Sequence, residues 1–345
     1  MARVVSIVNP VAGKAKGAKL RARAVEELKR LFPDIAMVES NGPGHAAVLA
    51  QAAMDSELII AVGGDGTARE VVSGLLSANP EITTKTQRHK EAGAATGARP
   101  DSEPDLVSSC LGGKTPLLAV IPVGSCNDLP RNVGIPADVI AACRVAMEGR
   151  ARPIDVIRVE MSKDGNSQHT YFVNAAGFGF DAAVTAEAQK SKHLRGLPLY
   201  LVAVIRALSR LECPLVRIRA GELSSALPAS QYETEQRVLM IAAANGRYYG
   251  GGMKVAPEAR PDDGLIDVCI GFSMGRFSAL TKLPRFVAGT HVTLKEVKML
   301  RAPELELEFL EPVQIELDGD VLVPQPFNRF RLTALPGAIR ILVRD

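Results

Sequence analysis

The feature that most constrains this chain is a change of texture near residue 150. Before it, short β-branched runs alternate with segments of helical period. Arg3–Val8 ends at Asn9-Pro10, and Lys16–Phe32 then sets Leu20, Ala24, Leu28 and Leu31 on one helical face. Ile35–Val38 stops at Ser40, and Gly44–Met54 reads as helix. Leu58–Val62 precedes a helix carrying Val71, Val72, Leu75 and Leu76, and Leu117–Ile121 precedes a helix over Ala137–Glu148. Such alternation predicts a parallel sheet covered by helices.

After Arg152 the strand-like runs follow one another, separated by turn residues: Asp155–Glu160, Thr170–Asn174, Val216–Ala220, Arg237–Ala243, Ile266–Gly271, Glu304–Phe309, Val313–Leu317, Phe327–Ala334 and Ala338–Val343. This spacing predicts an antiparallel β-sandwich, interrupted by one helical segment at Leu197–Leu211. The expected organisation is an α/β domain over residues 1–150 and a β-sandwich domain over 151–345. The polar stretch 79–115 has no clear period and reads as a flexible insertion in the first domain. A length of 345 residues suits two domains, and 47% apolar residues supply a core for each.

The formal charge of +3 is nearly balanced and gives no reason to expect nucleic acid as a partner. The five cysteines are odd in number and lack CxxC spacing, so they read as reduced thiols of a cytoplasmic protein. The start, MARVVSIVNP, enters a strand pattern without the apolar region of a signal peptide. No apolar run approaches the roughly 20 residues that span a bilayer.

Three glycine-containing turns follow strands in the first half. Asn9-Pro10-Val11-Ala12-Gly13-Lys14 leads from strand to helix, a setting in which backbone N–H groups face an anion; alone, it is also an ordinary connecting turn. Gly63-Gly64-Asp65-Gly66-Thr67 lies at the C-terminal end of a strand, where open α/β sheets bind ligands. Its glycines admit phosphate oxygens to the backbone, Thr67 can cap the next helix or donate to phosphate, and Asp65 offers a carboxylate to a magnesium nucleotide. Pro122-Val123-Gly124-Ser125-Cys126-Asn127-Asp128 repeats that logic, although its Asn-Asp pair also suits a helix cap.

These turns, read as NPxxG, GGDGT and PxGSxND in order, resemble the catalytic domain shared by diacylglycerol, sphingosine and ceramide kinases. Later segments are similar to that superfamily too: Phe172–Asp181 to its glycine-rich strand, Gly250–Pro257 with Asp262-Asp263-Gly264-Leu265 to its GGGM…DDGL segment, and Leu317-Asp318-Gly319-Asp320 to its DGE motif. The resemblance covers nearly the whole chain outside 79–115 and is strongest to the soluble bacterial branch.

The resemblance implies ATP in a cleft between the domains, lined by Asn9, Ser40, Gly63, Gly64, Asp65, Gly66, Thr67, Ser125 and Asn127. It implies Mg²⁺ held by Asp65, Asp128 and Asp155, and a second, structural Mg²⁺ on the Asp263 side chain with the carbonyls of Arg260 and Leu265. The DGE motif carries the general base, here shortened to Asp320, with Asp318 supporting and Asp65 as a further catalytic carboxylate. Asp-Gly is equally a favoured hairpin turn.

The expected reaction is transfer of the ATP γ-phosphate to a lipid hydroxyl, diacylglycerol first. The enzyme would visit the membrane surface transiently as a peripheral protein, and a homodimer is open to it. Leu197, Leu199, Tyr200, Val202, Val204, Ile205 and Leu208 would line an acyl-chain cavity or form an ordinary core helix, flanked by Lys190, Lys192, Arg195, Arg206 and Arg210. An NAD kinase shares a related GGDGT loop but not the PxGSxND or GGGM…DDGL segments. A nucleotide- or lipid-binding protein without catalysis is the other alternative, resting on Asp320 and Ser125 in place of Glu and Thr.

Overall fold

In a computed structural model, the structure describes residues 4–78, 115–190, 196–210, 212–223, 229–322 and 327–344. The insertion expected at 79–115 lies outside the described residues, apart from Thr115. The chain divides into two compact units, residues 1–156 with 335–345, and residues 157–334. The last eleven residues, expected in the second domain, therefore return to the first.

The first unit is built on parallel strands: β1 (Val4–Val8), β2 (Ala36–Glu39), β3 (Leu58–Gly63) and β4 (Leu117–Pro122). They lie in the order β2-β1-β3-β4, and the end of β15 (Phe327–Val343) adds beside β4 through Ile341 and Leu118. The runs VVSIV, LIIAVG and LLAVIP are apolar on both faces because helices cover both sides of such a sheet. Helix α1 (Lys14–Leu31) buries Ala24 and Leu28; α3 (Asp65–Ser77) buries Val71, Val72, Leu75 and Leu76. Helix α2 (His45–Ala52) approaches α3 so closely that a Cβ on Gly74 would fall 2.2 Å from the Ala47 carbonyl oxygen. Two further helices, α4 (Asp128–Val133) and α5 (Val139–Glu148), follow β4, and the Asp138 side chain caps α5 by accepting from the Ala141 N–H at 2.9 Å.

The second unit is antiparallel. Its long strand β9 (Ala229–Ala244) serves two sheets. Residues 229–237 pair with β8 (Leu215–Glu222), which continues to β12 (Glu304–Val313) and the first half of β15. Residues 238–244 pair with β7 (Ala175–Gly179) and β10 (Ile266–Phe272), which carries β11 (Val297–Ala302). Beside β7 runs the hairpin of β13 (Ile315–Leu317) and β14 (Asp320–Val321). The unit also receives the end of β5 (Arg150–Lys163), paired with β6 (Asn166–Phe172).

Inner residues of both sheets form one core. At its centre Phe330 meets Phe178 edge to face at 5.0 Å and Phe309 at 5.9 Å. The outer face of β8, β12 and β15 instead carries Arg217, Arg219, Glu306, Glu308, Arg329 and Arg331 in cross-strand ion pairs, the polar half of the strand alternation. Helices α6 (Phe180–Gln189) and α7 (Gly196–Ala207) pack together, and α8 (Arg276–Ala288) joins β10 to the turn before β11.

Candidate active site

In the first unit three loops converge at the C-terminal ends of β1, β3 and β4. Gly63 lies against Thr67: an added Cβ would fall 2.4 Å from the threonine Cβ and Oγ1. A Cβ on Gly124 would fall 2.5 Å from the Gly64 Cα, so the second and third loops touch backbone to backbone. A Cβ on Gly13 would fall 1.9 Å from the Val123 carbonyl oxygen, and the residue sits at φ 69°, so glycine is required there on both counts. Asn9 ties the first loop to the second. Its Nδ2 donates to Thr67 Oγ1 at 2.9 Å, while its Oδ1 accepts from the Val11 N–H at 3.1 Å.

The N-cap residues of α1 and α3 are Gly13 and Gly64, which bring no side chain of their own to those helix starts. Both helix starts follow these glycine turns, an arrangement whose amides and dipoles favour a phosphate. The adjacent start of α2 differs. Glu70 of α3 accepts from the N–H groups of Gly44 and Ala46 at 2.8 and 3.1 Å, so a protein carboxylate already occupies that helix end. Ser40 lies buried at the end of β2, its N–H donating to the Val8 carbonyl.

The expected magnesium carboxylates have other occupations. Asp65 accepts from the N–H groups of Asp128 and Leu129 at 3.1 and 2.9 Å, and thereby caps α4. Asp128 is buried and paired with Arg131. Asp155, also buried, accepts from the Gly337 N–H at 2.8 Å and fastens β15 at that glycine, which sits at φ 58°. Among the described residues no group of three or more His, Cys, Asp or Glu side chains is placed to hold a metal. A magnesium ion caged by Asp65, Asp128 and Asp155 does not fit this arrangement. Asn127, at φ 53°, turns its side chain onto its own loop, where Oδ1 accepts from the Gly124 N–H and Nδ2 donates to the Gly124 carbonyl. Ser125 is half-buried on the same loop.

In the second unit the Asp-Gly pair makes the hairpin that its sequence suggests. Asp318 and Gly319 both have positive φ, and Leu317 pairs with Asp320. Asp318 is structural in its contacts. Its buried carboxylate accepts three backbone N–H groups, from Val173, Asn174 and Ala175, at 2.8–2.9 Å. Asp320 is half-buried on the strand beyond the turn.

Beneath this hairpin lie three groups to which the motif gives no role. Tyr249 donates its hydroxyl to Glu316 Oε1 at 2.5 Å, and Glu316 Oε2 accepts from the Gly319 N–H at 2.9 Å. The Asp181 carboxyl faces the same tyrosine, and a Cβ on Gly177 would crowd both at 2.4 and 2.8 Å. Burial pushes Asp181 up to about 7, opposed by its bond to Tyr249. Burial first, then the Asp181 charge, raises Glu316 well above the carboxylate range. Glu316 stands between Ile315 and Leu317, and a carboxylate embedded in so short an apolar strand is the sequence signal for it.

The second expected metal site is also otherwise engaged. Asp263 accepts from the Leu265 N–H at 3.1 Å and pairs with Arg301, whose Nε reaches Asp267 at 3.2 Å. The guanidinium thus bridges two carboxylates where Mg²⁺ was expected with Arg260 and Leu265, so the residues do not fit that ion. Burial pushes Asp267 up to about 6 against the pull of Arg301.

Helix α7 buries Leu199, Tyr200, Val204 and Leu208 of the adjoining turn, as a core helix does, and leaves Ile205 exposed. The side chain of Leu197, with Lys192 and Arg195, lies outside the described residues.

Residues 3–159 match the diacylglycerol kinase catalytic domain, and residues 174–343 match the YegS C-terminal NAD kinase beta sandwich-like domain. The chain is 27% identical over 348 residues to a diacylglycerol kinase of Mycobacterium tuberculosis, covering 99% of this chain and 94% of that protein. It is 28% identical over 289 residues to a Pectobacterium atrosepticum protein named "Probable lipid kinase YegS-like", covering 83% and 78%. A crystal structure of a diacylglycerol kinase from Bacillus anthracis superimposes with a TM-score of 0.66 over 99% of this chain and 97% of that one; at 21% identity this likeness speaks for the fold. The domain pair defines a two-domain phosphotransferase of the lipid kinase class. The chain belongs to the diacylglycerol kinase and YegS-like lipid kinase family.

Proposed function

We propose that this enzyme transfers the γ-phosphate of ATP to a hydroxyl of a membrane lipid, with diacylglycerol as the first acceptor and phosphatidic acid as its product. The observation that carries the nucleotide half is the meeting of Gly64 and Gly124, where no Cβ fits on Gly124 and backbone is left to face phosphate oxygens. Asn9 and Thr67 hold the first two loops in register, and Asp65 locks the second loop to the third. The acceptor half is the Asp318-Gly319-Asp320 hairpin. Asp318 anchors it through three N–H groups, and Asp320 takes the proton.

In the reaction the lipid oxygen bonds to the γ-phosphorus, the bond from that phosphorus to the ADP oxygen breaks, and the hydroxyl proton passes to the Asp320 carboxylate. Phosphoryl transfer asks little covalent chemistry of a protein and depends on positioning and charge. Magnesium would enter as part of the nucleotide substrate, since Asp65, Asp128 and Asp155 are engaged by backbone N–H groups and by Arg131.

The test is transfer of labelled γ-phosphate to a panel of diacylglycerol, monoacylglycerol, sphingoid base and ceramide in mixed micelles, with NAD⁺ as a soluble acceptor. Labelled phosphatidic acid supports the proposal. Label on another lipid alone keeps the kinase and replaces the acceptor; label on NAD⁺ alone overturns it.

A further inference from the structure

Helix α8 is apolar on two sides: Leu283, Phe286 and Val287 are half-buried, with Phe286 stacked on buried His291 at 4.2 Å, while a second apolar set faces outward. In a surface helix the apolar stripe normally faces the core. Here the helix has no buried residue. Phe277 is 80% exposed and Leu280 41%, and Pro284 and Ala288 are exposed beside them. Positions 277, 280, 284 and 288 make one stripe at helical spacing, and it faces outward. The opposite side carries Phe286, packed on His291, and Lys282, which bonds Ser278 at 2.5 Å and pairs with Glu296 at 3.4 Å.

The sequence that carries this stripe is basic between Asp267 and Glu296, the latter paired with Lys282. From Val268 to Lys295 the sequence holds Arg276, Lys282, Arg285 and Lys295 and no acidic residue. Arg276 and Lys295 are exposed. Lys282 is engaged by Glu296, and Arg285 by the Thr290 carbonyl and Thr293 hydroxyl. Among the described residues no helix is long and apolar enough to cross a membrane. An enzyme whose acceptor is a bilayer lipid then meets it from the surface.

We propose that α8 is the membrane-docking element of this enzyme, laying Phe277 and Leu280 into the headgroup region of an anionic bilayer, with Arg276 and Lys295 on its phosphates. An outward apolar stripe with a cationic rim is the pattern of helices that lie in the interface plane. The inference rests on the lipid kinase reading for its occupant, but binding is measured without turnover, so the two fail separately.

The chain has no tryptophan, so Phe277→Trp places a single reporter on the stripe. Its emission shifts to the blue on phosphatidylcholine–phosphatidylglycerol vesicles and far less on phosphatidylcholine alone. In co-sedimentation with the anionic vesicles, Phe277→Ser with Leu280→Ser weakens binding at least about tenfold, the scale of two apolar side chains withdrawn from an interface. The double variant keeps wild-type phosphorylation of a short-chain, monomerically soluble lipid alcohol. An unshifted tryptophan, or vesicle binding unchanged in the double variant, overturns the proposal. So does a double variant that only dissociates a dimer in light scattering, because the stripe would then belong to a second copy of the chain.

Discussion

Asp65 and Asp128 meet through backbone: the Asp65 carboxylate takes the Asp128 N–H at 3.1 Å and the next amide, Leu129, at 2.9 Å. A residue that the glycine motif marks for a metal is thus the clasp between two glycine loops. Asp65→Ala removes the cap of α4 and is expected to cost about 1–2 kcal/mol, the usual range for losing a helix cap. Asp65→Asn retains one acceptor oxygen and loses less. Thermal unfolding of both variants, with nucleotide affinity measured alongside, checks the order Asp65→Ala below Asp65→Asn below wild type.

Gly124 has no space for a side chain. Gly124→Ala sets a methyl group 2.5 Å from the Gly64 Cα and 2.7 Å from Asn127 Oδ1, so backbone must shift. The expected outcome is loss of ATP affinity by at least about tenfold, or 1.4 kcal/mol. Gly134→Ala is the control. It has a positive φ but open space, so it strains its own turn without moving the loops.

Asp318 holds three amides of a buried segment. Asp318→Ala leaves those donors unsatisfied, at about 1–3 kcal/mol for each buried group. The variant is expected to unfold well below wild type or to be recovered poorly, whereas Asp320→Asn, on the far side of the turn, melts near wild type. Thermal unfolding and soluble yield separate the two.

The acid pair beneath the hairpin gives a pH signature. Burial raises Asp181 from 3.8 to about 7, so the folded state holds a proton that the unfolded chain has released. A raised carboxylate contributes stability that is full below pH 4 and is lost as pH climbs through 7. Stability should therefore decline between about pH 4 and 7, and Asp181→Asn should flatten that slope and gain about 1–3 kcal/mol at pH 8. Chemical denaturation across this range checks the sign. A slope in the variant equal to that of wild type would show that Asp181 is not the group that titrates.

Much of the scaffold was legible in the sequence because local period decided it. The unbroken apolar runs of β1, β3 and β4 are what a strand buried on both faces requires, and Val71, Val72, Leu75 and Leu76 fell on one helical face as their spacing dictates. The Asp318-Gly319 turn followed from its chemistry. The destination of a side chain was not legible. Asp155 meets Gly337 across 182 positions, and Arg301 reaches Asp263 across 38. The return of residues 335–345 to the first unit was hidden for the same reason, since a strand's sheet is chosen by its neighbours. The buried meeting of Asp181, Tyr249 and Glu316 draws on three separate segments, and only folding brings them together.

In the proposed reaction Asp320 takes the proton from a lipid hydroxyl while the glycine loops hold ATP. The most direct test measures single-turnover transfer of γ-phosphate to diacylglycerol in wild type, Asp320→Asn and Asp320→Glu, with ATP affinity determined for each. Asp320→Asn is expected to slow transfer by about 10²–10⁴-fold, the contribution of a positioned general base, with ATP affinity unchanged and Asp320→Glu active. Transfer at the wild-type rate by Asp320→Asn would contradict that role.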